Sequence, residues 1–157
     1  SWVYIYDADD LSLLAKHNTP EVIYGAGGIA ADGERFLVVG GLPDGIEENY
    51  LYEYTPDFEF VKKHTLNSGW TKLGIQTATF ADGYWWFGCY GTPQTLLKAD
   101  ASLEEVERFE FNCSLGIVPI GENRFLVANG ACSKDKGCTG RLVVATPDDR
   151  AGLVIAK

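Results

Sequence analysis

Apolar residues fall in short runs along this chain, each bounded by a tight polar corner. Four segments share one pattern: Trp2–Asp7, Tyr50–Thr55, Thr95–Asp100 and Arg141–Thr146. Their fifth positions are Tyr6, Tyr54, Ala99 and Ala145, at spacings of 48, 45 and 46 residues. A short turn follows each (Ala8-Asp9-Asp10, Pro56-Asp57, Ala101-Ser102, Pro147-Asp148) and leads into another strand-like run. A second motif precedes three of them, as Glu34–Gly40, Gly83–Gly88 and Asn123–Asn129. Ahead of it lies a short apolar strand that ends at Asp32-Gly33, Asp82-Gly83 or Gly121-Glu122-Asn123. Asp-Gly between two apolar runs signals a hairpin, because glycine tolerates positive φ.

Each unit therefore reads as four antiparallel strands, A to D, over about 45 residues. A half unit, residues 1–17, keeps strands C and D, and full units run at about 21–66, 70–112 and 114–156. One local signal opposes this. Ser102-Leu-Glu-Glu105 has the form of a helix capping box, which offers a helix over 102–110 instead. Val106, Phe109 and Phe111 keep no clean helical stripe, so the stretch is assigned to strand D. The expected fold is all-β: a β-propeller of four-stranded antiparallel blades, about 3.5 of them in this chain.

Composition agrees. The aromatic share is 13%, in runs such as Tyr84–Phe87, and aromatics pack well on pleated sheets. Eighteen glycines supply turns. The formal net charge of −9 repels phosphates and anionic lipid, which argues against nucleic-acid partners. No apolar window is long enough to insert into a membrane. The chain opens at Ser1 inside an apparent strand and contains no methionine, which reads as a trimmed or processed piece.

The four cysteines, Cys89, Cys113, Cys132 and Cys138, lack the Cys-x-x-Cys knuckles of structural zinc sites. Four free thiols of a cytosolic protein is one reading. A disulfide reading is preferred, because Cys138 lies in a polar, Gly-rich loop with no apolar reason for a thiol. It implies a secreted or cell-surface protein. Three pairings are open, and Cys132–Cys138 with Cys89–Cys113 is favoured.

Gly28-Ile-Ala-Ala-Asp32-Gly33 followed by Arg35-Phe-Leu-Val-Val resembles the inner-strand signature of NHL-type and related TolB-like six-bladed propellers. The blade pattern covers essentially the whole chain. WD40 marks and kelch double glycines are missing, so the resemblance carries architecture and no activity. It implies that strand A lines a central channel, and that the B–C and D–A loops share the usual binding face. That face receives residues 18–26, 40–49, 67–73, 89–94, 112–115 and 129–140.

Tyr24, Trp70, Lys72 and Tyr90 fall there, beside an acidic loop of Asp44, Glu47, Glu48 and Asn49. Aromatics next to polar groups suit a glycan, peptide or protein ligand. Taken singly, Tyr24 or Trp70 reads better as a packing plug between blades. The acidic loop lacks the alternation of an EF-hand. The expected ligand-binding set is Tyr24, Asp44, Glu47, Trp70, Lys72, Gln76 and Tyr90.

Propeller hydrolases and lactonases resembling this architecture hold a metal through inner-strand carboxylates, Asn or His. Here the inner strands offer Gln76 and threonines, too few ligands for a hard cation. His17 and His64 stand near the ends of D strands, with no serine or cysteine in a shared motif. Gly25-Ala-Gly-Gly28 lacks the Lys-Ser/Thr and the helix of a phosphate loop. No cofactor or catalytic residue is expected. The leading reading is a non-catalytic binding or scaffold propeller. The alternative is part of a propeller hydrolase or lyase whose catalytic residues lie in other blades or a partner chain. A ring of 3.5 blades leaves open edges, which implies a homo-oligomer or a missing remainder, with residues 1–17 and 142–156 at the boundary.

Overall fold

The computed structural model describes residues 1–42, 45–69, 71–135 and 137–156. Its strands are β1 (Trp2–Tyr6), β2 (Leu13–Asn18), β3 (Ala26–Ala31), β4 (Phe36–Gly40), β5 (Glu48–Tyr54), β6 (Phe60–Asn67), β7 (Gly74–Ala81), β8 (Tyr84–Tyr90), β9 (Thr95–Asp100), β10 (Val106–Glu110), β11 (Gly116–Pro119), β12 (Phe125–Ser133), β13 (Gly137–Asp148) and β14 (Gly152–Ile155). They form one two-stranded sheet, β1-β2, and three four-stranded meanders, β3–β6, β7–β10 and β11–β14, all antiparallel. Among the described residues there is no helix.

The repeat is visible in the register. Tyr54, Ala99 and Ala145 pair across their ladders with Phe36, Trp85 and Phe125, an aromatic of the preceding strand each time. The corner after each such strand is closed by its own side chain. Asp7 Oδ1 accepts from the amides of Asp9 and Asp10, Thr55 Oγ1 from Glu59, and Asp148 Oδ1 from Arg150 and Ala151. The capping-box segment behaves the same way. Asp100 takes the amides of Ser102 and Glu105, and Leu103 sits at φ 66°. The left-handed backbone at Leu103 is incompatible with a helix there, and β10 follows instead.

Burial alternates with a period of two and serves both faces of the middle sheets. Leu37, Val39 and Leu51 pack with Ile75, Trp85, Phe87 and Leu97. The intervening residues look the other way: Val38, Tyr52 and Tyr54 join Val22 and Phe58, with Val3 of β1 against them. Trp86 and Leu96 pack with Ile117, Phe125, Val127, Ala145 and Leu153. A sheet covered on both sides needs consecutive apolar residues, hence Leu37-Val-Val39 and Trp85-Trp-Phe87.

The first strands of the three meanders are neighbours: β3 lies beside β7, and β7 beside β11. Glycine permits this approach. A Cβ on Gly27 would overlap the Ile75 carbonyl oxygen, and one on Gly28 would stand 3.1 Å from that of Gln76. Gly27 and Gly28 are thus packing positions, while Gly25 turns the chain at a φ of 86° with open space around it. Polar staples cross the same boundaries. Asn49 Oδ1 accepts from the Ile75 amide at 3.0 Å, Thr77 Oγ1 donates to the Cys113 carbonyl at 2.9 Å, and Arg35 donates to the Ala101 carbonyl.

The two end sheets expose apolar ladders. Trp2, Tyr4 and Tyr6 are each about half exposed on β1, with the Lys16 ammonium 4.2 Å from the Trp2 ring centroid. At the other end Val118 and Leu142 are more than half exposed.

Candidate functional site

In an antiparallel meander the second-to-third connection lies at the end where the first strand starts and the fourth finishes. That end carries the connections β4–β5, β8–β9 and β12–β13, together with the links between sheets. Three depressions open there. One, of about 250 Å³, brings Tyr24 and Gln76 together beside Gly41 and Leu73. A second, of about 400 Å³, brings Lys72 and Tyr90 together with Thr92 and Ser114. The third, of about 430 Å³, is lined by Thr139 and Arg141 among others, and shares Gln94, Asn112, Gly130 and Ala131 with the second.

Tyr24 is about half exposed, its ring 6.0 Å from that of Tyr50. Gln76 sits at the bulge of β7, where the register skips between Ile75 and Thr77. Its Nε2 donates to the Leu73 carbonyl at 2.9 Å, which fixes the loop between the first two depressions. Lys72 is exposed, its amide bonded to the Tyr90 carbonyl at 3.1 Å. Glu47 is exposed and lines none of the three; its carbonyl accepts from Ser68 Oγ at 3.2 Å. Asp44 and Trp70 lie outside the described residues.

Asn49 is not part of an exposed acidic loop. It is fully buried, Nδ2 on Ser68 and Oδ1 on the Ile75 amide. A buried amide needs partners for both ends, and this one uses them to join β5 to β7.

The disulfide expectation divides. Cys132 and Cys138 are bonded, facing each other in the β12–β13 ladder. Cys89 and Cys113 do not form the second bridge: both are free and buried. The reason is packing. Cys89 belongs to the apolar cluster between β3–β6 and β7–β10, and Cys113 to the next one. Burial pushes the Cys89 thiol up to about 12 despite the Arg108 charge. Burial, then the neighbouring Cys89, does the same to Cys113. Neither is a ready nucleophile.

His64 Nε2 donates to Glu53 Oε2 at 2.6 Å, and the same carboxylate oxygen accepts from Arg35 Nη1 at 3.0 Å. His17 packs on the Phe58 ring at 5.0 Å. His64 is thus engaged in a hydrogen bond and His17 in packing. Among the described residues no group of three His, Cys, Asp or Glu side chains converges as a metal-binding set.

Four polar residues of this end, Gln94, Asn112, Asn129 and Arg141, were not in the expected ligand-binding set, although the first three fall in the loops assigned to that face. Asn129 carried a signal. It stands where the two other copies of its motif have glycine, Gly40 and Gly88. It is buried, and its Oδ1 accepts from Arg141 Nε at 3.0 Å. A scan of the chain against protein-family models and a search of the curated proteins returned no match.

Proposed function

We propose that this chain is a segment of a β-propeller, and that it acts as a non-catalytic binding module through the loop-bearing end of its sheets. The recurring meanders and the adjacency of β3, β7 and β11 support the radial reading. The observation that carries the binding reading is the pair of adjoining depressions, which unite Lys72 and Tyr90 with amide and hydroxyl side chains. A tyrosine ring offers a stacking surface, and amides both donate and accept, which suits a glycan or peptide. The Cys132–Cys138 bond supports an exported protein. The apolar ladders on β1 and around Leu142 support further sheets continuing the arrangement, from a second copy or from more chain. A tight monomer with a protease-resistant fold would count against that last point.

The test is a glycan and peptide array probed with the purified chain, followed by Tyr90→Ala and Lys72→Ala on any ligand found. Loss of binding in both variants supports the site. Undiminished binding in both removes it.

A further inference from the structure

We infer that the recess around Arg141 takes a carboxylate, and that the ligand of this face is an acidic, uronate-type saccharide. This rests on the binding reading above and gives it a chemical class.

The first reason is charge. The chain carries 22 aspartates and glutamates, yet among the described residues none lines either adjoining depression. Two cations do: Arg141 in one and Lys72 in the other. Three of the other four arginines have side-chain partners. Arg35 pairs with Asp32 and Glu53, Arg124 with Glu122, and Arg108 bonds the Ser68 carbonyl and Thr95. Among the described residues no carboxylate lies within ion-pair distance of Arg141 or Lys72.

The second reason is preorganisation. Arg141 is held through Nε by the buried Asn129. That bond orients the exposed guanidinium, and among the described residues neither terminal nitrogen has a partner. A guanidinium in this state meets a carboxylate through two parallel N–H bonds. Asn129 and Arg141 are direct partners in the β12–β13 ladder, and the Cys132–Cys138 bond closes that hairpin beyond them.

The third reason separates a saccharide from a peptide. The lining is amide, hydroxyl and backbone, with one aromatic ring, Tyr90. Sugar hydroxyls both donate and accept and match amides such as Gln94 and Asn112. An acidic peptide would also need apolar pockets for its other side chains, and these walls supply few.

The test is a titration, followed by backbone amide NMR, with three probes: a galacturonate oligosaccharide, the neutral galactose oligosaccharide of equal length, and an Asp/Glu-rich peptide. The acidic saccharide is expected to shift the amides of Gln94, Asn112 and residues 129–131, and to bind more weakly as salt rises. Arg141→Gln should lower its affinity by about tenfold or more, with Arg141→Lys intermediate. Asn129→Asp should do as much by pairing Arg141 internally while the charge remains. Thermal unfolding of each variant separates lost binding from lost folding. Equal binding of the neutral saccharide, preference for the peptide, or indifference to both Arg141→Gln and Asn129→Asp would overturn the inference. In those cases shifts confined to this face would still leave the broader binding reading standing. Shifts elsewhere would remove both.

Discussion

Asn49 of β5 and Ile75 of β7 are joined by a hydrogen bond of 3.0 Å, from the Ile75 amide to the Asn49 side-chain oxygen. The two residues belong to different sheets, and both are fully buried. A backbone amide at the start of the first strand of its sheet is thereby satisfied from the neighbouring sheet, beside the bulge that Gln76 occupies. Removing the amide of Asn49 leaves that donor buried and unpaired. Asn49→Ala is expected to destabilise the fold by roughly 1–3 kcal/mol. Urea unfolding of the variant against the parent measures it, and an unchanged midpoint contradicts it.

Gly27 tests the approach of β3 to β7. A side chain there meets the Ile75 carbonyl, which is backbone and cannot rotate away. Gly27→Val should therefore cost roughly 1–3 kcal/mol through overpacking, seen as a lower thermal midpoint. Equal stability would mean that the two strands stand further apart.

Two thiols should be silent in the native protein. Cys89 and Cys113 are buried with thiols raised to about 12. A thiol-specific chromogenic reagent should find no fast-reacting group in the folded chain and two in denaturant without reductant. Finding none in denaturant would show that the second bridge forms after all.

Acid should loosen the Asp32–Arg35–Glu53–His64 cluster. Burial opposes charge on both carboxylates. It is outweighed at Glu53 by the His64 hydrogen bond and the Arg35 charge, and at Asp32 by the Glu34 amide and Arg35, so both sit below their ordinary range. A carboxyl depressed by folding stabilises above its unfolded value, about 4, and that stability is lost as pH falls through the folded values. Stability measured downward from pH 5 should fall less steeply in Glu53→Gln than in the parent. An identical slope would exclude Glu53 from the acid response.

The Cys132–Cys138 bond closes a loop of six-residue separation, so its reduction should cost less than about 3 kcal/mol. Cys132→Ser with Cys138→Ser should keep the global fold yet weaken ligand binding, because Ala131, Thr139 and Gly140 of the same hairpin line the Arg141 recess. Binding that survives unchanged would detach the bridge from the site.

The strand units were legible because their corners and spacing are local. Tyr54, Ala99 and Ala145 occupy equivalent ladder positions, and the residues that close those corners stand close by in sequence. The repeat and the missing helical stripe assigned the stretch after the capping box to a strand, and β10 begins at Val106, with Ser102–Glu105 forming the turn before it. Pairings between distant residues were less legible. Asn49 looked like part of an acidic loop because its partners, Ser68 and Ile75, come from the next connection and the next sheet. Cys89 and Cys113 looked like bridge partners because even counts suggest pairs, while the two apolar clusters that hold them exist once sheets are packed. Lys72, Tyr90, Tyr24 and Gln76 were expected in one ligand-binding set, and they divide between two depressions, Lys72 with Tyr90 and Tyr24 with Gln76. Arg141 was hidden inside a strand motif, since its side chain gains meaning from Asn129 across the ladder.

Proton–proton cross-relaxation between β3, β7 and β11 tests the shared axis on which the face depends. The account predicts cross-peaks from the Gly27 and Gly28 α-protons to those of Gln76 and Thr77, and from Thr77 to the segment at Cys113. If β3 and β7 instead show contacts to the broad faces of opposing sheets and none to each other, the sheets are stacked and the shared binding face does not exist.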